Sequence, residues 1–129
     1  MFLGTGSDVG KSVLAAAFCR ILKQEGYRVA PFTAPHMALN SFITPEGGEM
    51  GRAQVVQAEA AGIAPRRAAD PVLLKPTSQM GSQVIVLGKS IGNYSARDYY
   101  QYKQQLVSVV RDSYHRLASQ YEVIVLEGA

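Results

Sequence analysis

The stretch Gly4-Thr5-Gly6-Ser7-Asp8-Val9-Gly10-Lys11-Ser12 constrains this chain more than any other. It follows the short apolar run Met1-Phe2-Leu3, which reads as a buried strand. It precedes Lys11 to about Glu25, where Leu14, Phe18, Ile21 and Leu22 recur at helical spacing before Gly26 supplies a stop. Strand, glycine-rich loop, Gly-Lys-Ser and apolar helix in this order are the context that a phosphate-binding loop requires. Glycines let backbone N–H groups turn inward, where they and the helix N-terminus meet phosphate charge. The candidate nucleotide-binding residues are therefore Thr5, Gly6, Ser7, Asp8, Val9, Gly10, Lys11 and Ser12. Lys11 would reach the outer phosphates and the Ser12 hydroxyl would ligate Mg²⁺. The plainer alternative is a glycine-rich turn ahead of a surface helix, and the order of the flanking elements disfavours it.

The rest of the chain alternates. Tyr27–Phe32 reads as a strand, 33–49 as a loop-rich segment, and Met50–Ala61 as a small-residue helix. Val72–Lys75 and Gln83–Leu87 are further strand candidates. Ser95 and Asp98 form a capping-box-like start to a helix whose apolar face carries Tyr102, Leu106, Val109, Val110, Leu117 and Tyr121. Glu122–Leu126 is the last strand. This alternation predicts an α/β fold with a mostly parallel sheet and flanking helices. An apolar strand that stops at Glu127-Gly128-Ala129 would ordinarily lead into another helix, so 1–129 is expected to be the N-terminal part of a longer ATP-binding domain.

Composition removes several classes. At 47% hydrophobic and 18% charged the chain is not a disordered one. The apolar runs are far shorter than the roughly 20 residues that span a bilayer, and no membrane partner is expected. A single cysteine, Cys19, excludes an internal disulfide and sits in the first helix as a small hydrophobe, so a cytoplasmic setting is the expectation. His36 and His115 lack zinc-ligand spacing. The net charge of +3 is spread along the chain, without the basic stripe of a nucleic-acid binder, and suits an anionic small ligand. Tyr94, Tyr99, Tyr100 and Tyr102 are read as packing rather than as a stacking platform.

A second acid completes the first motif. Glu127 ends an apolar strand, where a carboxylate beside a phosphate loop can hold Mg²⁺ directly or through water. Glu49, after Gly47-Gly48 and just before a helix, is a further metal or substrate-side candidate, although a helix-start acid is favoured by the dipole alone. The expected metal set is Ser12, Glu49 and Glu127, and the expected catalytic pair is Lys11 and Glu127.

The five residues between Gly4 and Gly10 resemble the loop of dethiobiotin synthetase and its relatives, Gly-Thr-x-x-x-Val-Gly-Lys-Thr/Ser. Gly6 stands where partitioning ATPases of that superfamily carry an extra lysine. With Leu39-Asn40-Ser41-Phe42, Gly47–Gln54, Leu73-Leu74-Lys75-Pro76, Gly81–Val86, Gly92–Tyr99 and Glu127-Gly128-Ala129, nearly the whole chain resembles the N-terminal part of the cobyric acid synthase family. The resemblance implies a phosphate-loop NTPase fold and an amidotransferase that uses ATP and Mg²⁺ to phosphorylate corrinoid side-chain carboxylates. Ammonia, supplied by a C-terminal glutaminase domain absent here, then displaces phosphate to give amides. It assigns Asn40 and Ser41 to the substrate side, and a homodimer is compatible with it. Alternatives are another dethiobiotin synthetase-like or cobyrinic acid amidating ligase, and a non-catalytic ATP switch. Departures from the family pattern fall at Thr33, Pro35 and His36, where Lys, Gln and Asn are usual, and at Ala69-Asp70, where Met-Asn is usual. With them, and without the ammonia source, 1–129 alone is expected not to form amides.

Overall fold

A computed structural model describes residues 1–6, 9–77 and 81–128. In chain order these form α1 (Lys11–Gln24), β1 (Val29–Thr33), β2 (His36–Met37), β3 (Ser41–Ile43), β4 (Glu49–Gly51) and α2 (Arg52–Ala60). After a 3-10 turn at Arg67–Ala69 come β5 (Val72–Thr77), β6 (Gly81–Val86), β7 (Lys89–Ser95), α3 (Ala96–Ala118) and β8 (Val123–Glu127).

The element that positions the site is the parallel pair of β1 and β8, in register from Val29 opposite Val123 to Thr33 opposite Glu127. All five residues of β1 are buried, as expected of a parallel strand covered on both faces. The expected first strand contracts to a single parallel bridge from Phe2 to Glu127. There the Phe2 N–H donates to the Leu126 carbonyl at 2.8 Å, and the Gly128 N–H donates to the Phe2 carbonyl at 2.8 Å. The residues just before the glycine loop and the strand carrying Glu127 are thereby neighbours.

One face of this sheet is covered by α1, through a cluster of Ala15, Cys19, Val29, Ala61 and Val125. Burial pushes the Cys19 thiol up to about 11, in keeping with a structural role. The periodicity of α1 points Leu14, Phe18 and Ile21 inward, yet the structure buries Ala15 and Cys19 and leaves those three about half exposed. The second core cluster joins Ala30, Phe32, Met50, Val55, Ala68, Ala69 and Leu117, with Phe32 edge-on to Tyr114 at 5.7 Å. The start of α3 matches expectation: Ser95 Oγ accepts the Asp98 N–H at 3.2 Å. Tyr94 and Tyr102 stack at 5.4 Å, a packing contact between β7 and α3.

A second sheet runs in the order β2-β5-β6-β7, parallel between β2 and β5 and antiparallel thereafter. Strand β7 was not anticipated. It follows a two-residue turn in which Leu87 and Gly88 both have positive φ, 48° and 79°, as the twist of a tight hairpin demands. A short antiparallel ribbon, β3 with β4, completes the fold. Among the described residues no helix is long and apolar enough to cross a membrane.

Candidate nucleotide and metal site

Helix α1 starts as an anion-binding end should. Its N-cap is Gly10 at φ 90°, a left-handed conformation that glycine adopts without the Cβ penalty. Gly10 offers no capping side chain and the first turn carries no acid, so neither competes with an incoming anion for the leading amides. The loop closes tightly: a Cβ on Gly4 would stand 2.7 Å from Val9 Cγ2 and 2.9 Å from Lys11 Cδ. Lys11 Nζ donates to the Gly6 carbonyl at 2.7 Å, folding the side chain back across the loop. Ser7, Asp8 and Ala129 lie outside the described residues.

Ser12 and Glu127 meet across 115 positions of sequence: Ser12 Oγ donates to Glu127 Oε1 at 2.6 Å. Glu127 is only 7% exposed, and its carboxylate accepts from three side chains, Ser12, Gln54 and Gln57. Gln57 Nε2 donates to Glu127 Oε2 at 2.6 Å, and Gln54 Nε2 reaches the same oxygen at 3.5 Å. Thr33 Oγ1 donates to the Glu127 carbonyl at 3.0 Å, fixing the end of β1 to the end of β8. The position where the family pattern has lysine thus holds the strand that carries the acid. A cavity of about 250 Å³ opens beside this contact, lined by Gly10, Lys11, Ser12, Val13 and Glu127.

The donor set there fits Mg²⁺. A serine hydroxyl and a carboxylate are hard oxygen ligands, and Mg²⁺ commonly takes one or two protein oxygens and completes its shell with phosphate and water. Among the described residues no cluster of three His, Cys, Asp or Glu competes as an all-protein metal cage.

A second polar cluster lies on β3, β4 and β5. Glu49 Oε1 accepts from Lys75 Nζ at 2.6 Å and also from Ser41 Oγ, while Lys75 Nζ lies 3.3 Å from Ser41 Oγ. Partial burial pushes the Glu49 carboxyl up, but the bonds from Lys75 and Ser41 and the lysine charge outweigh it and hold the group below its ordinary value. One metal candidate and one substrate candidate therefore share a site with a lysine that sequence reasoning left without a role. Asn40, the other substrate candidate, accepts the Arg52 N–H at its carbonyl, 3.1 Å away, at the head of α2. The departures His36 and Asp70 also meet: His36 Nδ1 is 3.5 Å from Asp70 Oδ2, which accepts the Gly51 N–H at 2.8 Å.

Sequence reasoning missed Gln54 and Gln57 as site residues. A polar residue inside a helix ordinarily signals a solvent face, and only the three-residue spacing placed both on one side of α2.

The family described as the CobQ/CobB/MinD/ParA nucleotide binding domain matches residues 1–126. Among curated proteins, a cobyric acid synthase of Syntrophobacter fumaroxidans is 79% identical over 129 residues, covering 100% of this chain and 25% of that protein. Cobyric acid synthases of Pelotomaculum thermopropionicum and Parabacteroides distasonis are 59% and 58% identical, again over 100% of the chain and 25% and 27% of theirs. The chain spans about a quarter of the length of these relatives.

Proposed function

The chain belongs to the CobQ/CobB/MinD/ParA nucleotide-binding domain family, and from that premise we propose that it is the ATP-binding part of a cobyric acid synthase. In this reading the whole protein converts corrinoid side-chain carboxylates to amides, through an acyl phosphate that ammonia from a glutaminase domain attacks. The single observation that carries the reading is the contact of Ser12 with Glu127 at the mouth of the Gly4–Ser12 loop. Relatives named cobyric acid synthase support the substrate class.

The leading amides of α1 and the loop backbone hold the phosphates. Lys11 exchanges the Gly6 carbonyl for phosphate oxygens, offsetting charge that grows as the terminal phosphoryl group leaves. Ser12 and Glu127 would hold Mg²⁺, whose charge would offset that of the phosphates. In this reading the cluster of Ser41, Glu49 and Lys75 belongs to the acceptor side, because a lysine ammonium held by these groups is suited to orient a substrate carboxylate.

Calorimetric titration of ATP, with and without Mg²⁺, tests this on the parent, Lys11→Ala and Glu127→Gln. Charged hydrogen bonds contribute about 1.5–3 kcal/mol each, so Lys11→Ala should weaken ATP binding about 10- to 100-fold. Glu127→Gln should lose the Mg²⁺-dependent part of the affinity while keeping binding of metal-free ATP, because the carboxylate repels phosphate. Equal affinities in all three proteins, or no binding by the parent, would overturn the reading.

A further inference from the structure

Helix α2 carries two glutamines, Gln54 and Gln57, that are wholly buried, an expensive place for a primary amide. Both present their Nε2 groups to one oxygen, Glu127 Oε2, and both leave their own carbonyl oxygens buried without a partner. An ionised carboxylate only accepts, so the amides must turn their donors toward it, and the orphaned carbonyls are the consequence. Gln57 does more, since its Nε2 also lies 3.4 Å from the Ser12 carbonyl. A single amide thus touches the side chain of one metal candidate and the main chain of the other.

We propose that Gln57, assisted by Gln54, is a positioning residue that holds Glu127 Oε2 so that Oε1 is aimed at Ser12 and at the metal between the phosphate loop and β8. This rests on the ATP–Mg²⁺ reading above and deepens it. A carboxylate on a single strand end can rotate about its last bonds, and a rotated Glu127 would turn its open oxygen away from the loop. Two donors on one oxygen remove that freedom. The helix that supplies them is itself pinned at its head, where Asp70 Oδ2 accepts the Gly51 N–H and the Asn40 carbonyl accepts the Arg52 N–H. The two amides are therefore set from a fixed helix, and ligand-orienting contacts of this kind commonly govern metal affinity about 10- to 100-fold.

The test measures ATP affinity with and without Mg²⁺ for the parent and for Gln57→Met, which keeps the length and removes the donor, alone and combined with Glu127→Gln. The expected result is a loss of about tenfold or more in the Mg²⁺-dependent gain for Gln57→Met. In the Glu127→Gln background the same substitution should change that gain no further, because its effect passes through the carboxylate. Thermal melts run alongside separate folding from positioning, since a merely structural glutamine would lower the melting temperature and leave the Mg²⁺ gain untouched. Should Gln57→Met not fold, Gln54→Met, whose contact is longer, decides with a smaller loss in the same direction. A parent that gains affinity from Mg²⁺ with glutamine variants that gain equally would overturn this proposal and leave the ATP–Mg²⁺ reading standing. A parent with no Mg²⁺-dependent binding would overturn both.

Discussion

Gly88→Ala probes how the second sheet locks the Glu49 segment in place. Gly88 sits at φ 79° in the turn between β6 and β7, and its carbonyl accepts the Glu49 N–H at 2.9 Å. A Cβ there would stand 2.6 Å from Gly48 Cα, 2.9 Å from the Glu49 nitrogen and 3.0 Å from the Gly48 carbonyl carbon. All three are backbone atoms, so no side chain can swing aside. The left-handed conformation costs an alanine about 1 kcal/mol. Forcing a methyl into a filled space adds about 1–3 kcal/mol, for about 2–4 kcal/mol in total. Gly47→Ala is the matched control: φ is 75°, and nothing lies within 4 Å of its Cβ position. It carries the conformational cost alone, about 1 kcal/mol. Urea unfolding of the parent and both variants gives the two differences. Equal losses for Gly88→Ala and Gly47→Ala would refute the close approach of the turn to the Glu49 strand.

The ion pair of Glu49 with Lys75 makes stability depend on pH: with the folded carboxyl held below its usual 4.5, its contribution is complete above that value and is lost as pH falls through the folded one. Lys75→Met should flatten this part of the acid limb, and parallel unfolding curves from pH 7 to about pH 3 for the two proteins would contradict the assignment. Cys19, wholly buried with its thiol pushed up to about 11, should react with a thiol reagent at pH 8 about 100-fold more slowly in the native than in the urea-unfolded protein, and equal rates would contradict its burial.

Local chemistry was legible in the sequence wherever a neighbour along the chain sets it. The span of α1 and the Ser95–Asp98 cap are both decided within a few residues, and the structure agrees with both. The approach of Glu127 to Ser12 was legible too, because an apolar strand ending in an acid is a local pattern that the glycine loop helps to place. What escaped is set by contacts remote in sequence. The apolar spacing of α1 marks Leu14, Phe18 and Ile21 as a hydrophobic stripe, but spacing does not say which stripe meets the β1–β8 pair, and the small residues Ala15 and Cys19 do. The β6–β7 turn escaped because Leu87 takes a positive φ where Asn or Gly is the usual signal. Thr33 looked like the loss of a lysine, and its hydroxyl proves to fasten β1 to the Glu127 backbone. Gln57 escaped most completely, since its polarity argues for solvent and its partners, Glu127 and the Ser12 carbonyl, are remote in sequence.

The bond between Ser12 and Glu127 also places a clock on synthesis. Its partners are 115 residues apart, so the loop leaves the ribosome long before the strand that completes it. At about 5–20 residues per second, roughly 6 to 23 seconds separate the two. Through that interval β1 lacks the parallel neighbour that covers its edge, and the glycine loop has no acid opposite it. On the proposed reading, nucleotide and metal are held together only after β8 has paired with β1 and bridged to Phe2, so metal-dependent capture would report that this stretch of chain has folded.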